Sequence, residues 1–131
     1  MTTPAELPPA GIPMIRTIAM PADSNSNGDI FGGWLMSQMD LAAGNLAARI
    51  AHGRCVTVSV DAMSFLRPVK IGDEVSVYCE KLATGRTSMK IGVEAWRRAR
   101  IGAEEYRVTR AVFTFVAIDA EGRPRNINDP E

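Results

Sequence analysis

Between Gly32 and about Ala51 the apolar positions recur every third or fourth residue. Leu35, Met39, Ala42, Leu46 and Ile50 form one stripe, and Met36, Ala43 and Ala47 form a second row beside it. That period predicts a helix. Only Asp40 and Arg49 are ionisable within it, so the helix must be covered over most of its circumference. Gly53 follows His52 and suits a left-handed end cap. The rest of the pattern has a period of two. Val56, Val58, Val60 and Ala62 alternate with polar neighbours, as do Val75, Val77 and Cys79, and then Met89, Ile91, Val93 and Ala95. These runs predict strands with two distinct faces. A first strand is expected over 14–20, ending at Pro21. "AVFTFVAI" (111–118) is apolar almost throughout and predicts a central strand buried on both sides.

Breakers at 67–73, 84–86 and 97–105 separate these runs by short turns, which favour antiparallel neighbours. The expected order is strand, helix, then four strands. One curved antiparallel sheet wrapped around one long apolar helix satisfies it, an α+β fold of the hotdog type. Such a sheet covers one side of the helix, which implies a dimer at minimum. The expected organisation is a loose N-terminal tail over 1–13, rich in proline, a single domain over 14–118, and a polar C-terminal tail over 119–131.

Composition narrows the function classes. The chain has 131 residues, 15 basic and 15 acidic side chains, and no net charge. That balance argues against a nucleic-acid or membrane-surface role. Cys55 and Cys79 show no CxxC spacing and no histidine cluster, so they are expected to be small core thiols. The N-terminus lacks a basic start and an apolar run, and no window reaches the length of a membrane span. A cytoplasmic location is the expectation.

The remaining chemistry lies in "DSNSNGDIFGGWLMSQMD" (23–40). Its first half imitates a calcium loop, with Asp23, Asn25, Asn27, Gly28 and Ile30 at matching positions. Trp34 stands where a bidentate acid is required, so no metal site is expected. What remains is a polar loop feeding a helix start. There the first N–H groups lack internal acceptors and Gly32 and Gly33 leave them unobstructed. Such an end binds an anion or steadies a developing oxyanion, although a plain turn has the same composition. Asp40 adds weight. The positions one turn away are Met36, Ser37, Ala43 and Gly44, none a cation, so the carboxylate needs a partner from outside the helix. Gly33 and Asp40 are seven residues apart, about 10 Å at 1.5 Å per residue. One helix therefore does not bring both groups to one reacting carbon, whereas two copies related by a two-fold axis can.

"MPADSNSNGDIFGGWLMSQMD" resembles, nearly residue for residue, the signature of YciA-type acyl-CoA thioesterases of the hotdog superfamily. The similarity continues through "IAHGRCVTVSVDAMSFLRPVKIGD", "GRTSMKI" and "AVFTFVAID" and spans about residues 14 to 127. The resemblance implies hydrolysis of acyl-CoA thioesters to free acid and CoA. It implies Asp40 as general base or nucleophile, Asn25 as a group placing the thioester carbonyl or attacking water, and Gly33 as an N–H donor to that carbonyl. A trimer of dimers, hence a hexamer, is implied as well, and no cofactor. CoA phosphates need cations. Arg86 is the first candidate, with Thr87 and Ser88 as hydroxyl donors and Gly32 beside Gly33 at the helix start. Arg97, Arg98 and Arg100 follow in one hairpin. A solvated turn accounts for any one of these arginines equally well. His52, the only histidine, suits a helix-end role better than ligand contact. Met36, Met39 and Met63 serve as core filler or as a tunnel lining. A hotdog dehydratase, a non-hydrolytic acyl-CoA-binding regulator and a structural oligomerisation module stand as alternatives. The first usually pairs a histidine with the helix acid, and the other two need no Asp40.

Overall fold

A computed structural model describes residues 7–129. It contains β1 (Ile15–Ile18), a single 3-10 turn (Pro21–Asp23), α1 (Gly32–Ala51), β2 (Cys55–Val60), β3 (Glu74–Thr84), β4 (Ser88–Arg98) and β5 (Glu105–Ala117). The strands form one antiparallel sheet in the order β1-β3-β4-β5-β2. This is the hotdog fold. The helix lies across one face. Leu35, Met39, Ala42, Ala43, Ala47 and Ala51 meet Val75, Val77, Ile91, Val93, Phe113 and Phe115 in one buried cluster. Leu46 and Ile50 pack at its edge, so the stripe read from spacing is the face that meets the sheet.

Several expectations are corrected. Gly53 is not the left-handed residue. His52 is, at φ 52° and ψ 43°, and the N–H groups of both residues reach the carbonyl of Ala48. β5 begins at Glu105 and lies next to the sheet edge, while β4 is central. One face of β5 is buried and the other only half-buried over 111–117, because among the described residues no helix or second sheet packs on the sheet's outer side there. In β2 the register shifts between Thr57 and Ser59, so Val56, Val58 and Val60 do not share one face. Val56 and Val58 are exposed, and Val60 packs against the core.

The ends differ from each other. Residues 7–13 carry no helix or strand, and residues 1–6 of the expected tail lie outside the described residues. The stretch 119–129 is polar and turn-rich as expected, but it is fastened to the domain. Asp119 Oδ1 accepts from the N–H groups of Glu121 and Arg123. The Arg125 guanidinium donates to the carbonyls of Ala51, Ile118 and Asp129 at 2.9, 3.0 and 2.7 Å. Ile127 is buried, and its N–H donates to the carbonyl of Arg86. One arginine thus ties the helix C-terminus to the end of β5, where the last carbonyls lack intrahelical donors.

Both cysteines are free thiols on strands that pack against the core. Burial pushes the Cys79 thiol up to about 12. A thiol whose folded value lies above its ordinary value of 9.0 stabilises the fold fully below pH 9. That stability is lost as pH rises toward 12. Cys79→Ala is therefore expected to lose less melting temperature than the parent chain between pH 8 and pH 11, as thermal scans at both values will read.

Candidate active site

The entry to α1 is held from both sides. The N–H of Ile30 donates to Val69 and that of Phe31 to Asp23, at 2.9 and 3.0 Å. Lys70 pairs with Asp29 across an isolated antiparallel bridge. The helix then opens without the usual side-chain cap. Phe31 occupies the N-cap, makes no side-chain hydrogen bond there, and no acid stands in the first turn. Ser, Thr, Asp or Asn ordinarily fills that position and takes up a free N–H. Here the N–H groups of Gly32 and Gly33 have no intrahelical acceptor and face the positive end of the macrodipole. Both glycines are exposed. A Cβ built on Gly33 would meet nothing within 4 Å, whereas one on Gly32 would lie 3.3 Å from the Phe65 ring.

Asp40 lies on the same helix face as Gly33, seven residues on, about 10 Å along the axis. It is half-buried. The partner from outside the helix is Thr57 of the edge strand β2, whose Oγ1 donates to Asp40 Oδ1 at 2.6 Å. That bond fixes one carboxylate oxygen and leaves the other available. Cys55, two residues earlier on β2, lies close enough for the same acid to act on it. Burial raises the Cys55 thiol's pKa, Arg125 lowers it, and Asp40 raises it further. Thr57 was not singled out by sequence reasoning, and Cys55 was expected only as a core thiol. The alternation of β2 placed them opposite its valines, but the face they serve depends on the β2 register.

Asn25 holds its own loop. Its Oδ1 accepts from the N–H groups of Asn27 and Asp29, at 2.8 and 3.2 Å, an Asx-type turn. The oxygen that a calcium loop would turn inward is therefore used locally, and the Nδ2 is the group left to donate.

The arginines separate into two groups. Arg86 is exposed at the β3–β4 turn, with Thr87 and Ser88 half-buried beside it. The N–H of Gly85 donates to Ser88, and the carbonyls of Arg86 and Thr87 accept from Ile127 and Ala117, so the turn is braced by β5 and the C-terminal segment. Arg97 and Arg98 lie at the opposite end of β4, about 30 Å from Ser88 at 3.3 Å per residue. There Arg97 pairs with Asp73 at 3.3 Å and packs over the Tyr106 ring. Arg98 pairs with Glu74 at 3.2 Å and donates to the carbonyls of Ala99 and Gly102. The chain does not bring these two arginines together with Arg86, and their charges are matched locally by acids. Arg100, between them and β5, is exposed.

Around this face the surface is apolar. Phe31, Met36, Val56, Val58 and Phe65 are between 40 and 53% exposed, and among the described residues β2 has no neighbouring strand on its outer side. An unpaired strand edge flanked by apolar side chains is a template for another chain.

A family model described as the thioesterase superfamily matches residues 27–104. The acyl-CoA thioester hydrolase YciA of Escherichia coli (strain K12) is 52% identical over 121 residues, covering 89% of this chain and 91% of the relative. Among solved structures, a hexameric thioesterase from Yersinia pestis matches with a TM-score of 0.87 at 52% identity, over 92% of this chain and 98% of the other. A hexameric hotdog fold thioesterase of Campylobacter jejuni matches with a TM-score of 0.82 at 37% identity, over 90% and 91% of the two chains.

Proposed function

The chain belongs to the thioesterase superfamily, among the hotdog-fold acyl-CoA thioester hydrolases, and from that premise we propose how its residues divide the work. Asp40 attacks or activates water at the thioester carbonyl of one site. The N–H of Gly33, from the neighbouring subunit, stabilises the oxyanion that develops. The observation that carries this reading is the Thr57–Asp40 bond. It holds a half-buried carboxylate on the helix face that also carries an uncapped, unobstructed N-terminus.

The chemistry is acyl transfer to water. Attack at the carbonyl carbon places negative charge on its oxygen, where a preorganised N–H is most effective. In the general-base route Asp40 takes a proton from water as the new C–O bond forms. The C–S bond then breaks, and the thiolate of CoA leaves with a proton returned from the acid. In the nucleophilic route an Asp40 oxygen bonds to the carbonyl carbon, the C–S bond breaks and CoA leaves as its thiolate, which takes a proton from solvent. Water then hydrolyses the acyl–Asp40 anhydride to the free acid and the regenerated carboxylate. Asn25, through Nδ2, supports the carbonyl or the water. The separation of about 10 Å along the axis between Gly33 and Asp40 on one helix favours a site shared by two chains. The apolar edge at β2 is where a second chain would complete it. The hexameric relatives support a hexamer, which three such dimers would build.

Arg86, with Thr87 and Ser88, contacts the CoA phosphates. Arg97 and Arg98, paired with Asp73 and Glu74, serve the sheet end instead. Two assays test these statements. Release of free thiol from acyl-CoAs, read with a chromogenic disulfide, should accompany the native oligomer. Binding of acyl-CoA with no thiol release would favour the regulator reading. Arg86→Ala is expected to raise KM for acyl-CoA about tenfold with kcat little changed, and to leave a phosphate-free acyl-pantetheine unaffected. The tenfold figure corresponds to one charge-assisted contact of about 1.5 kcal/mol.

A further inference from the structure

An apolar cavity of about 170 Å³ opens beside the start of α1. Ile30, Leu35, Val69 and Val108 supply its walls, and Phe31, Gly32 and Phe65 its mouth. Arg67 also lines it, but its guanidinium is turned to the carbonyl of Arg107 at 2.7 Å and over the Tyr106 ring at 5.4 Å. The cavity therefore presents hydrocarbon, not charge, toward the helix N-terminus. We infer that this cavity receives the first carbons of the acyl chain and that Phe65 is the residue that limits chain length. The inference rests on the oxyanion role given above to Gly33.

The geometry follows from the chemistry. A thioester carbonyl held by the Gly33 N–H sends its thiol arm one way and its acyl chain the other. The apolar space next to that N–H is the one bordered by Gly32. Its volume lies below the 300 to 1,000 Å³ of a pocket for a drug-sized ligand, so it encloses a short chain and not a long one. Phe65 sets the boundary. Its ring lies over Gly32, 3.3 Å from where a Cβ would stand, and the side chain is 45% exposed. It forms part of the mouth without belonging to the buried core, so its size can change without opening a cavity in the fold. Each methylene that gains or loses a place in an apolar pocket changes kcat/KM on the order of tenfold.

The test compares kcat/KM across acetyl-, butyryl-, hexanoyl- and octanoyl-CoA for the native protein, Phe65→Trp and Phe65→Ala. Phe65→Trp should depress the chains from butyryl upward at least tenfold relative to acetyl. Phe65→Ala should raise octanoyl relative to butyryl by a similar factor. If both variants turn over acyl-CoA with the native length profile, the cavity is not the acyl site, even though the hydrolase reading stands. If either variant loses its oligomeric state and its activity on all four substrates together, Phe65 is an interface residue and the inference is overturned. A native protein inactive on all four would instead remove the hydrolase reading on which it rests.

Discussion

Asp40→Asn is expected to lower kcat for acyl-CoA hydrolysis by about 10²- to 10⁴-fold, the usual contribution of a positioned general base. The change keeps volume and keeps an oxygen for Thr57, so the 2.6 Å bond and the packing of α1 should survive. KM and melting temperature should therefore stay near their native values. Asp40→Ala should abolish turnover to the same extent and leave CoA binding intact. A kcat within threefold of native in the asparagine variant would remove Asp40 from the chemistry. Thr57→Val should act more weakly, through the orientation of the carboxylate, and should lower kcat more than it raises KM. Single turnover in heavy-oxygen water distinguishes the two routes. Label found in the Asp40 side chain marks an anhydride opened at the aspartyl carbon, and label found only in the released acid, with no acyl–Asp40 adduct trapped, marks an activated water.

The fold was legible because its signals are local and strong. A twenty-residue helix with two ionisable side chains can be drawn from spacing alone, and its observed bounds, Gly32–Ala51, agree. The strand ends were not legible in the same way. "RRARIGAEE" reads as a break, yet Arg97 and Arg98 complete β4 because Asp73 and Glu74 pair with them across the sheet. The left-handed position fell to His52 instead of Gly53, one residue earlier than composition suggests. The polar stretch after Asp119 looks like a tail in sequence. Its attachment depends on one guanidinium meeting carbonyls more than seventy positions apart along the chain, which no local pattern encodes. At the candidate site, Asp40 and the two glycines were visible as an acid and a gap in the pattern. Thr57 and Phe65 were not, because each acquires its meaning only from the element it packs against.

The cross-subunit arrangement makes the strongest demand, and it can be isolated with two variants that are each nearly inactive. Gly33→Pro removes the N–H donor at a position in the first helical turn, where proline is tolerated. Gly33→Ala keeps the donor, and its Cβ would meet nothing within 4 Å. The alanine variant should therefore be close to native. The proline variant should lose about 10²- to 10³-fold in kcat, as expected for loss of one oxyanion donor. Mixing Gly33→Pro chains with Asp40→Asn chains by co-refolding yields dimers of which about half are mixed. If each site takes its donor from one chain and its acid from the other, a mixed dimer holds one site with both groups intact and one with neither. Activity should then recover from about a hundredth of native to roughly a quarter, a rise far outside the sum of the parents. If donor and acid come from the same chain, every site in the mixture lacks one group and no recovery occurs. Seven residues of helix, about 10 Å along the axis, separate Gly33 from Asp40, and Gly33 has no side chain with which to shorten that gap. Recovery is thus the result expected if two chains share each site.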